Sequence, residues 1–196
     1  MQRNSRVLFA LALVAAAVLS GTACFDQDQA RTQVTITRVA DPQWPDTLAS
    51  GPYLSDVLDP GPDGIPNTMD DIVYEDEALL TVTSNAPSDL QVIKPNGPYA
   101  RVTLERYRVD FEIPGEQIEP IEGSMHLVVP SGSRATGSIV LVTGFAKTQP
   151  PLSTLAGGGD ELTGTARITV HGTEETSGDE IVAEASIAVH FADWVQ

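Results

Sequence analysis

The segments Thr165-Ala166-Arg167-Ile168-Thr169-Val170-His171 and Ile181-Val182-Ala183-Glu184-Ala185-Ser186-Ile187-Ala188-Val189-His190-Phe191 decide the fold. Ala166, Ile168 and Val170 share one phase of a two-residue period, and Ile181, Ala183, Ala185, Ile187, Val189 and Phe191 share one phase of the second segment. Successive side chains of a strand point to opposite faces, so this alternation is the mark of a sheet with one buried face. The intervening run from Gly172 to Gly178 is polar and turn-forming. Together they predict a long antiparallel hairpin ending at Trp194.

The same period recurs toward the N-terminus. Val34 to Val39 alternates, as do Ala78 to Ser84 and Met125, Leu127 and Val129. Between Arg101 and Ile113 the phase slips: Val102 and Leu104 follow one register, while Tyr107, Val109, Phe111 and Ile113 follow the other. A slip near Glu105 and Arg106 predicts a β-bulge or a strand changing sheets. Ile139-Val140-Leu141-Val142 is continuously apolar, which predicts a central strand covered on both faces. About seven strands with turns rich in Gly, Pro and Asp predict an all-β fold, an immunoglobulin-like antiparallel β-sandwich.

The N-terminus has a different composition. Arg3 and Arg6 precede an uncharged stretch of thirteen residues, Val7 to Leu19, and then the small residues Ser20 to Ala23. This is the layout of a secretory signal peptide, and the apolar stretch is shorter than the about 20 residues of a spanning helix. The run Leu19-Ser20-Gly21-Thr22-Ala23-Cys24 resembles the lipobox of bacterial lipoproteins, with Gly21 standing where leucine is commonest. The resemblance implies cleavage after residue 23, diacylglycerol and N-acyl lipid on Cys24, and a membrane anchor in the cell envelope. Phe25, following the cysteine, implies the outer membrane in a Gram-negative cell. Conventional cleavage after Ala23, giving a soluble secreted protein, is the alternative. The expected organisation is a signal peptide over 1–23, a lipidated tether over 24–33 and a β-sandwich domain over 34–196, with an acidic loop insertion at 41–77. Arg106 to Phe111 and Ile181 to Trp194 are also similar to stretches of uncharacterised bacterial lipoproteins, a likeness that carries no activity.

Removing residues 1–23 takes away two arginines and no acid, so nine basic residues face 27 acidic ones and the remaining 173 residues carry a formal charge of −18. Nucleic acid is excluded as a partner, because phosphate is met by clustered Lys and Arg. Cys24 is the chain's one cysteine, so an acylated Cys24 leaves none for a disulfide.

Between Arg38 and Lys94 there is no basic residue, and 41–77 is rich in Pro, Gly and Asp. Such a stretch is expected to bury little apolar surface. Within it, Asp59-Pro60-Gly61-Pro62-Asp63-Gly64-Ile65-Pro66-Asn67-Thr68-Met69-Asp70-Asp71 suits Ca2+, a hard cation that takes six to eight oxygen ligands from a compact loop. Asp59, Asp63, Asn67 and Asp70 would offer side-chain oxygens and Ile65 its carbonyl, with Gly64 at the sharp turn. The loop resembles thrombospondin type three calcium repeats and, more loosely, an EF-hand loop, which implies affinity at the weak extracellular end of about 10⁻⁴–10⁻³ M. The bland alternative is a solvated acidic turn.

Other constellations carry less. His126, His171 and His190 sit on strands, and counting from a turn near residue 175 pairs His171 near 179 and His190 near 160, too far apart for one metal. Gly157-Gly158-Gly159 lacks the lysine and the helix of a phosphate loop. No Gly-x-Ser-x-Gly elbow occurs, and Ser124 near His126 in sequence does not make a nucleophile–base pair. The functional expectation is a non-catalytic binding or structural module, anchored in the membrane through lipid, with an envelope protein or glycan as partner. A secreted carbohydrate-active or other hydrolase using surface carboxylates is the rival.

Overall fold

The structure, a computed structural model, describes residues 32–42, 52–59, 61–62, 64, 68–69, 71–85 and 101–194. Among the described residues eight strands are formed: β1 Gln33–Ala40, β2 Tyr53–Asp56, β3 Asp76–Asn85, β4 Val102–Glu112, β5 Ile121–Val129, β6 Arg134–Val142, β7 Leu162–Glu174 and β8 Glu180–Ala192. A one-turn helix α1, Gly144–Lys147, and a short 3-10 helix, Leu152–Leu155, lie between β6 and β7. The strands form two packed sheets, β1-β3-β6 and β2-β8-β7-β4-β5, in a sandwich-like half-barrel.

The hairpin that dominates the sequence is β7–β8, paired from Leu162↔Phe191 to Thr173↔Glu180. Its turn is tighter than the composition suggests. Gly172 lies inside β7, and the chain reverses after Glu174, where Gly178 takes a φ of 77° and donates to the Glu174 carbonyl at 2.8 Å. The two histidines are correspondingly paired three residues beyond the expected partners, His171 with Val182 and His190 with Thr163. Val182 and His190 are eight residues apart on β8, about 27 Å of strand, so the separation of the histidines stands.

The phase slip in β4 is a bulge between Leu104 and Arg106, felt by both neighbouring strands. It lets Val102 and Leu104 on one side of the slip and Tyr107 and Val109 on the other all face the core. Phe191, Leu80, Leu104, Leu141 and Ile168 are fully buried between the sheets. Each stabilises the fold by about 1.5–3 kcal/mol relative to exposure.

Three expectations are corrected. Ile139 to Val142 does not form a central strand: β6 is an edge of its sheet, and β3 is the centre. Its apolar run is explained by position at the corner of the half-barrel, where Ile139, Leu141 and Val142 are buried. The Val140 N–H donates at 3.1 Å to the hydroxyl of Tyr107, which reaches across from β4. The sandwich is also not wholly antiparallel, because β2 runs parallel to β8, pairing Tyr53↔Val189 to Asp56↔Ala192. And the segment 41–77 does bury surface: Tyr53, Ser55 and Val57 lie in the interior.

That burial depends on a residue far along the chain. Lys147, at the end of α1, has a side chain only 1 % exposed, and its Nζ donates to Asp76 Oδ1 at 2.7 Å and to the Asp56 carbonyl at 2.6 Å. Ser55 Oγ donates to the other Asp76 oxygen at 2.5 Å, and Tyr53 Oη donates to the Glu77 carbonyl at 2.8 Å. Both ends of the acidic segment, β2 and the start of β3, thus close on one lysine. Thr143 caps α1 by accepting from the Ala146 N–H, which fixes the turn that aims Lys147 inward.

Candidate functional site

The bulge has a second consequence on the outer face of the five-stranded sheet. Arg106 falls in register with Ser124 on β5 and His171 on β7. The next rung pairs Arg108 with Glu122 and Thr169. Arg106, Arg108, Glu122, Ser124 and His171, floored by Tyr107 and Gly123, line a groove of about 370 Å³.

Its floor is thin because Gly123 has no side chain. The Tyr107 ring occupies the core side of that position, so a Cβ at 123 would come within 2.5 Å of the ring carbon Cε1. An aromatic covering a cross-strand glycine keeps the register while leaving the sheet surface open above it.

The charges in the groove are unequally satisfied. Arg108 donates to both oxygens of Asp110, at 2.8–3.0 Å, and to Glu122 Oε1 at 2.6 Å. The hydrogen bonds from Arg108 hold the Asp110 carboxyl below its ordinary pKa, and the bond to Asp110 chiefly raises that of Arg108. His171 Nδ1 lies 3.3 Å from Glu180 Oε1. The Arg106 side chain is exposed and makes no ion pair or hydrogen bond among the described residues. Among the described residues the Arg106 guanidinium is thus left uncommitted, beside a hydroxyl and an imidazole, in a strongly acidic chain. Its planar fork of five donors matches a carboxylate or phosphate.

These residues carry a signal in the sequence that local periodicity alone does not pick out. Arg106 and Arg108 lie in β4 and Arg101 immediately before it, three of the nine basic residues after position 23, and the bulge falls beside Arg106. Ser124 lies in register beside Arg106.

Of the proposed calcium ligands, Asp59 is described, and Asp63, Ile65, Asn67 and Asp70 lie outside the described residues, as does Cys24. Asp59 pairs with Ile72 through two backbone hydrogen bonds of 2.9 Å, closing the loop at its base. Its Oδ1 accepts the Gly61 N–H at 3.0 Å. Gly64 takes a φ of 65°, the left-handed turn expected of it. Asp71 accepts from both the N–H and the hydroxyl of Thr68 at 3.2 Å. Among the described residues, no group of three or more His, Cys, Asp or Glu is placed to hold a metal, and no helix is long and apolar enough to cross a membrane.

Comparison with known proteins gives no matching family for this chain and no match among curated proteins.

Proposed function

We propose that this protein is a non-catalytic binding module of the cell envelope, held to a membrane by lipid on Cys24. In this reading the immunoglobulin-like sandwich presents the groove around Arg106 to a carboxylate-bearing envelope glycan. The observation that carries it is the uncommitted Arg106, flanked in register by Ser124 and His171. A bound carboxylate would take the guanidinium bidentately, and sugar hydroxyls would meet Ser124, His171 and Glu122. Among the described residues the groove lining holds one carboxylate, Glu122, bonded to Arg108, which supports a binding reading over two facing acids. Ca2+ at the 59–71 loop would stiffen the adjoining segment without entering the groove.

The test is calorimetric titration with acidic and neutral envelope oligosaccharides. Losing one charge-assisted contact of about 1.5–3 kcal/mol predicts that Arg106→Ala weakens acidic-glycan binding roughly ten- to hundredfold, with the melting temperature unchanged. Equal binding by Arg106→Ala, or equal affinity for neutral glycans, would sink the assignment. Labelled-fatty-acid incorporation that survives Cys24→Ala would remove the anchor.

A further inference from the structure

We propose that Lys147 and Asp76 condense into an isopeptide bond, an internal covalent cross-link that joins α1 to the first residue of β3. The reacting groups are already in place. Nζ of Lys147 sits 2.7 Å from Oδ1 of Asp76, and the two side chains are 1 % and 13 % exposed. The carbon to be attacked is one bond beyond that oxygen. Held groups of this kind reach effective molarities of about 10⁵–10⁸ M, enough to drive an amide condensation that free amine and acid do not complete in water.

The surrounding groups match the reaction. The Asp56 carbonyl accepts from Nζ at 2.6 Å and fixes the nitrogen, while the Ser55 hydroxyl donates to Asp76 Oδ2 at 2.5 Å. Burial pushes the Asp76 carboxyl above its ordinary pKa despite Lys147, favouring the neutral acid, which is the electrophile where a carboxylate is not. The step then runs in order. One proton passes from Nζ to Oδ1; the freed amine attacks Cγ; negative charge gathers on Oδ2, where the Ser55 hydroxyl meets it. A second nitrogen proton moves to Oδ1, the Cγ–Oδ1 bond breaks, and Oδ1 leaves as water. Nζ begins with three protons and ends with one, and no oxidant, metal or cofactor takes part.

The product satisfies every group it leaves. The amide N–H keeps the Asp56 carbonyl as acceptor, and the amide oxygen keeps the Ser55 hydroxyl as donor. A buried ion pair whose charges are costly to desolvate becomes one neutral, hydrogen-bonded amide. The link spans 71 residues and encloses β3 to β6, in a chain with no cysteine pair to cross-link it.

Purified mature protein and the Lys147→Arg variant are compared by intact mass spectrometry, so that any lipid on Cys24 cancels. The wild type is expected to be lighter than its sequence by one water, with Lys147→Arg at full sequence mass. Trypsin should fail to cut after Lys147 and release a branched peptide joining it to Asp76. Ser55→Ala should slow linkage roughly a hundredfold, as loss of one oxyanion donor does. Wild-type protein that stays at full mass through prolonged incubation overturns the proposal, and it does so whether or not the variants fold. A lost water that maps to a succinimide at Asp63-Gly64 overturns it equally.

Discussion

Alanine at position 123 should loosen the corner where the two sheets meet. A Cβ there would lie within 2.5 Å of Tyr107 Cε1, inside any allowed contact. The ring is 7 % exposed and tethered by the 3.1 Å hydrogen bond from the Val140 N–H, so it cannot turn away without releasing β6. Overpacking costs about 1–3 kcal/mol. An N–H left unpaired on the half-buried Val140 adds about 1 kcal/mol. Alanine returns roughly 0.5–1 kcal/mol by restricting the unfolded chain. The net expectation is a destabilisation of about 2–3 kcal/mol, seen as a melting temperature lower by roughly 5–10 °C for a domain of this size. Denaturant titration of Gly123→Ala, Tyr107→Leu and the double variant measures it. With Tyr107 already leucine, the added methyl enters vacated space, so its cost should fall to about zero, a coupling of about 2 kcal/mol. A Gly123→Ala variant within about 0.5 kcal/mol of wild type, or an equal cost in both backgrounds, refutes the reasoning.

Gly172→Ala should be at least as damaging, because its Cβ would meet backbone, with Leu104 Cα at 2.8 Å, and backbone cannot step aside as a ring can; urea unfolding decides. Asp56→Asn should stabilise the protein at neutral pH. Burial raises the Asp56 carboxyl above 3.8, and its Oδ2 is buried without a hydrogen-bond partner. A raised folded-state pKa means the stability this group contributes is full below its unfolded pKa and is lost as pH rises through the folded one. The advantage of asparagine should therefore shrink as pH is lowered toward 4, which melting curves across that range would reveal. Arg108→Ala should leave the thermal melting curve almost unchanged, since both its ion pairs are exposed and screened by solvent. Millimolar Ca2+ should raise the melting temperature, and Asp59→Ala should abolish the rise; no shift in scanning calorimetry would remove calcium from the account.

Periodicity made most of the sandwich legible. Alternation located β1, β3, β4, β5 and the β7–β8 hairpin, and a single slip of phase located the bulge, because a strand with one buried face must write its register into every second residue. Where the reading failed, burial was set by partners that no local pattern contains. The run Ile139 to Val142 is apolar in the way of a central strand, but what covers it is the closing corner of the half-barrel and a tyrosine hydroxyl from the other sheet. Ala185 and Ile187 keep the core phase of β8 and yet are only half-buried, packed against the edge of the core cluster. The groove was missed for the opposite reason. Its residues were legible as types, but only the bulge brings Arg106, Ser124 and His171 into one row.

The acidic segment shows the same limit most sharply. No basic residue lies between Arg38 and Lys94, so local charge argues that 41–77 must stay in water. That argument holds only while counter-charge is sought nearby in sequence. Lys147 arrives from the far side of β6, and the polar residues it meets, Asp76, Ser55 and the Asp56 carbonyl, are then paired well enough to be buried. Once they are buried, Tyr53, Ser55 and Val57 can turn inward, and β2 can join β8 in the parallel direction that a short local loop could not have produced. One lysine thus converts a segment that composition assigns to solvent into the sheet's outer strand. Removing it without replacing its charge, as in Lys147→Met, should release β2 before it unfolds the remaining strands. Amide exchange at Tyr53 to Asp56 should then rise while that of β7 stays protected; uniform loss of protection across both would show that the lysine supports the whole core instead.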